Sequence, residues 1–195
     1  MSTSITRCMK PEGSVDGTHA SSLQELANEV ILRLKGQAAR LCIVESCTGG
    51  LLAHSLTEIP GASAVLWATI TAYDNSAKTS LALVPEATLR EKGAVSEETA
   101  LALAQGGLAR LKDSITEGLF YSLATTGIAG PGGATSEKPV GLCFVAVKSS
   151  LAGSVVVRVE NPPDLPRAQQ KIRFAQAALR CLLAQIPAPG LKVRS

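Results

Sequence analysis

An apolar run, Leu41-Cys42-Ile43-Val44, stops abruptly at Glu45-Ser46-Cys47-Thr48-Gly49-Gly50, and helical spacing resumes with Leu51-Leu52-Ala53-His54-Ser55-Leu56. Strand, tight turn and helix, in that order, is what these residues imply, because the run is short and the paired glycines break it. The turn places Ser46 where the strand stops and the unbonded N–H groups of the helix begin. Groups of that kind stabilise an anion or a developing oxyanion. Ser46 and Thr48 serve equally well as a helix N-cap, and this stretch alone leaves both readings open.

Residues 1–21 are polar and rich in Ser, Thr and Gly, so a flexible N-terminal extension is expected there. Leu23, Leu26, Val30, Ile31 and Leu34 share one helical face that ends at Gly36. The stretch 64–73 carries Val65, Trp67, Ile70 and Tyr73 and reads as a strand. A loop and helix start follow at Asp74-Asn75-Ser76, with a short helix that stops before Pro85. Ser96-Glu97-Glu98 opens another helix, with acids in its first turn. Strands are expected over 119–125, 140–147 and 154–160, the last two joined as a hairpin through Ser150-Leu151-Ala152-Gly153. A last helix runs from Pro166 to Ala184, and the Pro-rich tail 187–195 is expected to be flexible. Helices alternate with strands early and two strands arrive in succession late. That pattern predicts a single domain over 22–186, a three-layer α/β/α sandwich with a mixed, mostly parallel sheet. Ligands bind such sheets beyond the strand ends. The loops at Ser46, after Tyr73 and at 126–133 therefore converge if their strands run parallel.

Composition narrows the function. Apolar residues make up 46% of the chain, so a folded core is expected. A scattered net charge of +3 gives no basic stripe for nucleic acid. The cysteines, Cys8, Cys42, Cys47, Cys143 and Cys181, include no C-x-x-C pair, and only His19 and His54 could join them, which argues against a metal site. Cysteines in apolar runs point to small core residues and a reducing compartment, so a cytoplasmic protein is expected. No apolar run reaches membrane-span length, and the N-terminus has no signal-peptide core.

The loop Thr126-Gly127-Ile128-Ala129-Gly130-Pro131-Gly132-Gly133 is not a P-loop, since Gly-Lys-Ser/Thr is absent and a strand follows. Its glycines do not open a helix as a dinucleotide fingerprint would. It is either a turn with a Pro-Gly corner or a backbone wall that a ligand approaches closely, with Thr126 supplying a hydroxyl. A Ser-His-Asp triad does not fit. His54 lies eight residues past Ser46, roughly 12 Å along a helix, and His19 falls in the extension. A nucleophilic Ser46 therefore needs another base. Lys78 is the one charged residue in the largely apolar stretch Ala77 to Val84. It is an ordinary solvated helix lysine, or it is a base whose pKa desolvation or a nearby cation has lowered. Tyr73 is a core aromatic with its hydroxyl at the sheet rim, or a proton relay.

Several stretches together resemble one family, the CinA C-terminal domain, which includes the nicotinamide mononucleotide (NMN) deamidases of the PncC type. They are Glu45-Ser46-Cys47-Thr48-Gly49-Gly50-Leu51, Ile59-Pro60-Gly61-Ala62-Ser63 and Ala72-Tyr73-Asp74-Asn75-Ser76-Ala77-Lys78. Gly93-Ala94-Val95-Ser96-Glu97-Glu98, the 126–133 loop and Glu137-Lys138-Pro139-Val140-Gly141 follow in the same order. Arg167 and Arg173 lie where the family has arginines entering its last helix. The resemblance spans residues 22–185 and implies a stand-alone single-domain form, a homo-oligomer, and hydrolysis of NMN to nicotinic acid mononucleotide and ammonia without metal or cofactor. It maps the nucleophile onto Ser46 and its basic partner onto Lys78, with Tyr73 beside them. The family commonly has a small residue where this chain has Asp74, and a carboxylate close to Lys78 would raise the lysine's pKa.

The expected chemistry follows from that resemblance. Ser46 attacks the carboxamide carbon, Lys78 takes its proton and passes one to the leaving ammonia, and Tyr73 is a relay. Backbone N–H groups opening the 49–58 helix, with those of the 126–133 loop, would hold the oxyanion. Substrate would lie against Thr48, Gly49, Gly50, Asn75, Thr126, Gly127, Gly130 and Arg167, and Arg173 is a further candidate for the phosphate. Other readings are a non-catalytic nucleotide-binding or regulatory module with the same pocket, and an amidase for a different amide. No nucleic-acid or membrane partner is expected.

Overall fold

Helix α1 (Leu23–Gly36) starts where its cap requires. Ser22 accepts from the Glu25 N–H, and the Glu25 carboxylate accepts from the Ser22 N–H. Its apolar face, Leu26, Ala27, Val30, Ile31 and Leu34, is buried. The computed structural model describes residues 5–9 and 21–187. Most of the expected extension and nearly all of the expected tail lie outside the described residues.

Six strands form one sheet: β1 (Ile5–Met9), β2 (Arg40–Glu45), β3 (Leu66–Thr71), β4 (Phe120–Gly127), β5 (Leu142–Ser149) and β6 (Ser154–Glu160). Their order is β1-β6-β5-β4-β2-β3. The pairs β1/β6, β4/β2 and β2/β3 are parallel, and β5 runs antiparallel to both β4 and β6. The sheet is mixed, as the late hairpin implied. Ile5–Met9 corrects the expectation of an unstructured extension, because these residues pair with the open edge of β6. A contact so distant in sequence leaves no local signature in a polar stretch.

Helices α1, α2 (Leu51–Thr57) and α6 (Arg167–Leu183) cover one face. Helices α3 (Asn75–Ala82), α4 (Glu86–Lys92) and α5 (Glu97–Ser114) lie on the other side, with α5 against the strands. Strand β2 feeds both cores by simple alternation. Leu41 and Ile43 join the first, and Cys42 and Val44 the second. Gly106 lets α5 meet the end of α3, since a Cβ there would fall 1.7 Å from the Ala82 carbonyl oxygen. Cys42, Cys47, Cys143 and Cys181 are all free and buried. Burial pushes the Cys42 and Cys181 thiols up to about 12.

Candidate active site

Strands β4, β2 and β3 are adjacent and parallel, so their C-terminal ends lie side by side. The ladder continues just past them. The Ser46 N–H donates to Thr125 O at 3.1 Å, and the Ala72 N–H to Glu45 O at 2.9 Å. The three loops that the sequence suggested would converge therefore start from one rim.

Glu45 closes β2 with a side chain that has no solvent exposure. Its Oε2 accepts from the Gly50 and Leu52 N–H groups at 3.0 and 3.2 Å, and its Oε1 from the Ala53 N–H at 2.9 Å. The Leu51 N–H donates to Thr48 O. The opening N–H groups of α2 are thus all engaged, which corrects the expectation that they hold an oxyanion. A carboxylate from the preceding strand already occupies that position. Glu45 is a residue that the sequence reading missed. Its one signal was a charged side chain ending the apolar run Leu41-Cys42-Ile43-Val44.

Ser46, only 9% exposed, carries a hydroxyl with no hydrogen-bond partner among the described residues. Thr48 is buried, and its hydroxyl pairs with that of Thr125 at 2.9 Å. Thr126 is likewise buried and donates to Ala94 O at 2.6 Å. Both hydroxyls brace the scaffold with the one hydrogen bond each makes.

Lys78 lies in α3 and is 2% exposed. Its Nζ donates to Tyr73 O at 2.8 Å. Burial lowers its pKa, opposed by the charge of Asp74 and by Cys47, the neighbour of Ser46. Lys78 is therefore a desolvated amine beside the serine turn and not a solvated surface lysine. Asp74 is the N-cap of α3 and accepts from both the N–H and the hydroxyl of Ser76. Those bonds hold its carboxyl below the usual range. Cys47 also meets Cys143, Sγ to Sγ 3.7 Å, beneath the turn.

The rim is basic and open. Tyr73 is 60% exposed, which excludes the core-aromatic reading. Arg167 donates to its hydroxyl at 2.7 Å and to Gly130 O, bridging the second and third loops. Lys171, one turn further along α6, brings its Nζ to within 3.4 Å of where a Gly49 Cβ would stand. The sequence reading missed Lys171, although its spacing of four from Arg167 places both on one helix face. Asn75 opens α3 in an exposed position. Gly50, with φ +89°, faces open space, whereas Gly127 and Gly130 are demanded by packing. A Cβ would stand 2.6 Å from Leu142 O at Gly127 and 2.7 Å from Val140 Cγ1 at Gly130. Arg173 is exposed on α6. Among the described residues no three His, Cys, Asp or Glu side chains cluster as metal ligands, and no helix is long and apolar enough to cross a membrane.

Set beside known proteins, residues 23–186 match the family model described as the CinA C-terminal domain. A CinA-like protein of Chlorobaculum tepidum is 42% identical over 175 residues, covering 88% of this chain and 39% of that protein. One of Chlorobium chlorochromatii is 44% identical over 168 residues, covering 85% of this chain and 37% of that protein. The chain thus spans under two fifths of the length of these two relatives. The crystal structure of the competence/damage inducible protein CihA from Agrobacterium tumefaciens matches with a TM-score of 0.77 at 35% identity, over 87% of this chain and 98% of that one.

Proposed function

The chain belongs to the CinA C-terminal domain family, and we propose that it is an amidohydrolase that converts NMN and water into nicotinic acid mononucleotide and ammonia. The observation that carries this reading is the buried amine of Lys78, its pKa lowered by burial, beside the turn that bears a serine with an unengaged hydroxyl. Desolvation of this kind is one of the two ways a lysine becomes a base near neutrality, a neighbouring cation being the other.

In this mechanism the Ser46 Oγ attacks the carboxamide carbon while neutral Lys78 takes the hydroxyl proton. The tetrahedral intermediate collapses, the C–N bond breaks, and Lys78 returns the proton to the leaving nitrogen. An acyl-enzyme ester and ammonia result. Water then attacks the ester with Lys78 again as base, releasing the carboxylic acid and free Ser46. Tyr73 orients the rim through Arg167 and contacts Lys78 only through its carbonyl. Arg167 and Lys171 supply positive charge for the substrate's phosphate.

The test is ammonia release from NMN by the purified protein, with Ser46→Ala as the paired control and nicotinamide and nicotinamide riboside as alternative amides. Release from NMN that falls by about 10³-fold or more in the variant supports the reading. NMN-dependent thermal stabilisation without ammonia would point to a binding module instead. Turnover of nicotinamide riboside in preference to NMN would move the substrate to an unphosphorylated amide.

A further inference from the structure

Nearly every backbone donor in the serine turn has a partner. The Ser46 N–H donates to Thr125 O, Gly49 to Ser46 O, Leu51 to Thr48 O and His54 to Gly50 O. Gly50, Leu52 and Ala53 donate to Glu45. From Ser46 to His54, the N–H groups of Cys47 and Thr48 alone have no acceptor among the described residues. Both residues are buried, 5% and 0% exposed, and buried N–H groups are rarely left unpaired. Two successive free N–H groups form an anion-accepting concavity. Here they follow directly on the serine, where the oxygen of a carbonyl under attack would come to rest.

We propose that the peptide N–H groups of Cys47 and Thr48 are the oxyanion donors of this site, and that Glu45 is the positioning residue that holds them there. The proposal rests on the serine-amidase reading. Glu45 ties the first turn of α2 back to the end of β2, and the Thr48–Thr125 hydroxyl pair ties the middle of the turn to β4. With both attachments made, the two donors are fixed before the charge develops. Preorganisation of that kind is what makes such donors effective. The short helix α2 contributes no donor of its own, because Glu45 and the Thr48 and Gly50 carbonyls have taken them.

The decisive experiment converts single peptide bonds to esters in the full chain. Lactic acid at position 47, compared with Cys47→Ala, removes one N–H and leaves the Ser46 carbonyl, which accepts from the Gly49 N–H, as a weaker ester acceptor. The kcat for NMN should fall by about 10²-fold with KM within about threefold, and the melting temperature should fall less than in the position-53 ester, since the N–H removed has no partner to lose. Lactic acid at position 53 removes an N–H that Glu45 holds. It should lower the melting temperature and affect kcat far less. Glu45→Gln puts a donor where an acceptor is required. It should weaken binding of the aldehyde analogue of NMN, which forms a tetrahedral adduct on serine, by about tenfold or more, while binding of nicotinic acid mononucleotide stays within about threefold. A position-47 ester as fast as Cys47→Ala overturns the proposal. So does equal weakening of both ligands by Glu45→Gln. If the wild type releases no ammonia, or Ser46→Ala releases as much, the amidase reading falls and takes the proposal with it. An active, Ser46-dependent wild type with an unaffected ester variant removes the proposal alone.

Discussion

Two neighbouring turns at one end of the sheet each bury a charged side chain, and they treat it in opposite ways. After β2, Glu45 has no solvent exposure and accepts three backbone N–H bonds. After β3, Lys78 is almost as deeply buried, yet among the described residues its Nζ makes one hydrogen bond, to Tyr73 O. An ammonium has three donors to satisfy. Three of the carboxylate's roughly four acceptor sites are taken by backbone, so it serves structure. The lysine is undersupplied, so its charged form is disfavoured and its pKa falls. Burial alone does not mark a reactive group. Burial without enough partners does.

The sharpest way to break that contrast is to remove each charge. Lys78→Met keeps most of the volume and eliminates an under-solvated amine. We expect kcat to fall by about 10³-fold, with a midpoint in urea at or above that of wild type. Lys78→Arg should be equally inactive, because a guanidinium does not give up its proton. An active Met variant would place the base elsewhere. Glu45→Leu is the mirror experiment. It leaves three N–H groups, one buried and two part-buried, without an acceptor and should cost about 3 kcal/mol in the same urea titration. A neutral result would mean that the carboxylate anchors nothing. The expected stability changes have opposite signs, and equal signs would dissolve the comparison.

The glycines of the two glycine-bearing loops differ in the same spirit. Gly130, with φ +72°, is pressed against Val140, whereas Gly50 at φ +89° faces open space. Gly130→Ala combines backbone strain with a clash and should cost about 2 kcal/mol or more, and Gly50→Ala about 1 kcal/mol from strain alone. Calorimetric melting of the pair measures the difference. From the sequence, the 126–133 loop was either a turn with a Pro-Gly corner or a wall for a ligand, and at Gly127 and Gly130 packing is what demands glycine.

Periodicity carried most of the fold. The α1 face, the apolar run of β2 and the closing hairpin are local patterns, and they hold. Strand β1 was not legible, because among the described residues it pairs with the far edge of β6 alone. In the site, the residue types at Ser46, Lys78 and Tyr73 were visible. Which donors were free was not. That depends on where Glu45 and the Thr48 and Thr126 hydroxyls turn, and the turn of a side chain leaves no mark on spacing. Lys171 was missed for a related reason. One cation among the 19 Lys and Arg acquires meaning only when a distant glycine lies beneath it.

Asp74 offers the finest test of how the lysine is held. Its carboxylate is bonded to Ser76, which keeps it ionised to lower pH than usual. That negative charge favours protonated Lys78 and so opposes the effect of burial. Asp74→Asn retains an acceptor for the α3 cap and removes the charge. Lys78 should then lose its proton more readily, its pKa falling further below that of an ordinary lysine. Neutral lysine is the active base, so the rising acid limb of the kcat/KM profile against pH should move to lower pH. The shift should be small, because the carboxylate stands in solvent, and it should shrink as salt is added. A shift to higher pH, or one indifferent to salt, would mean that the carboxylate acts on the site through the structure of α3 and not through its charge.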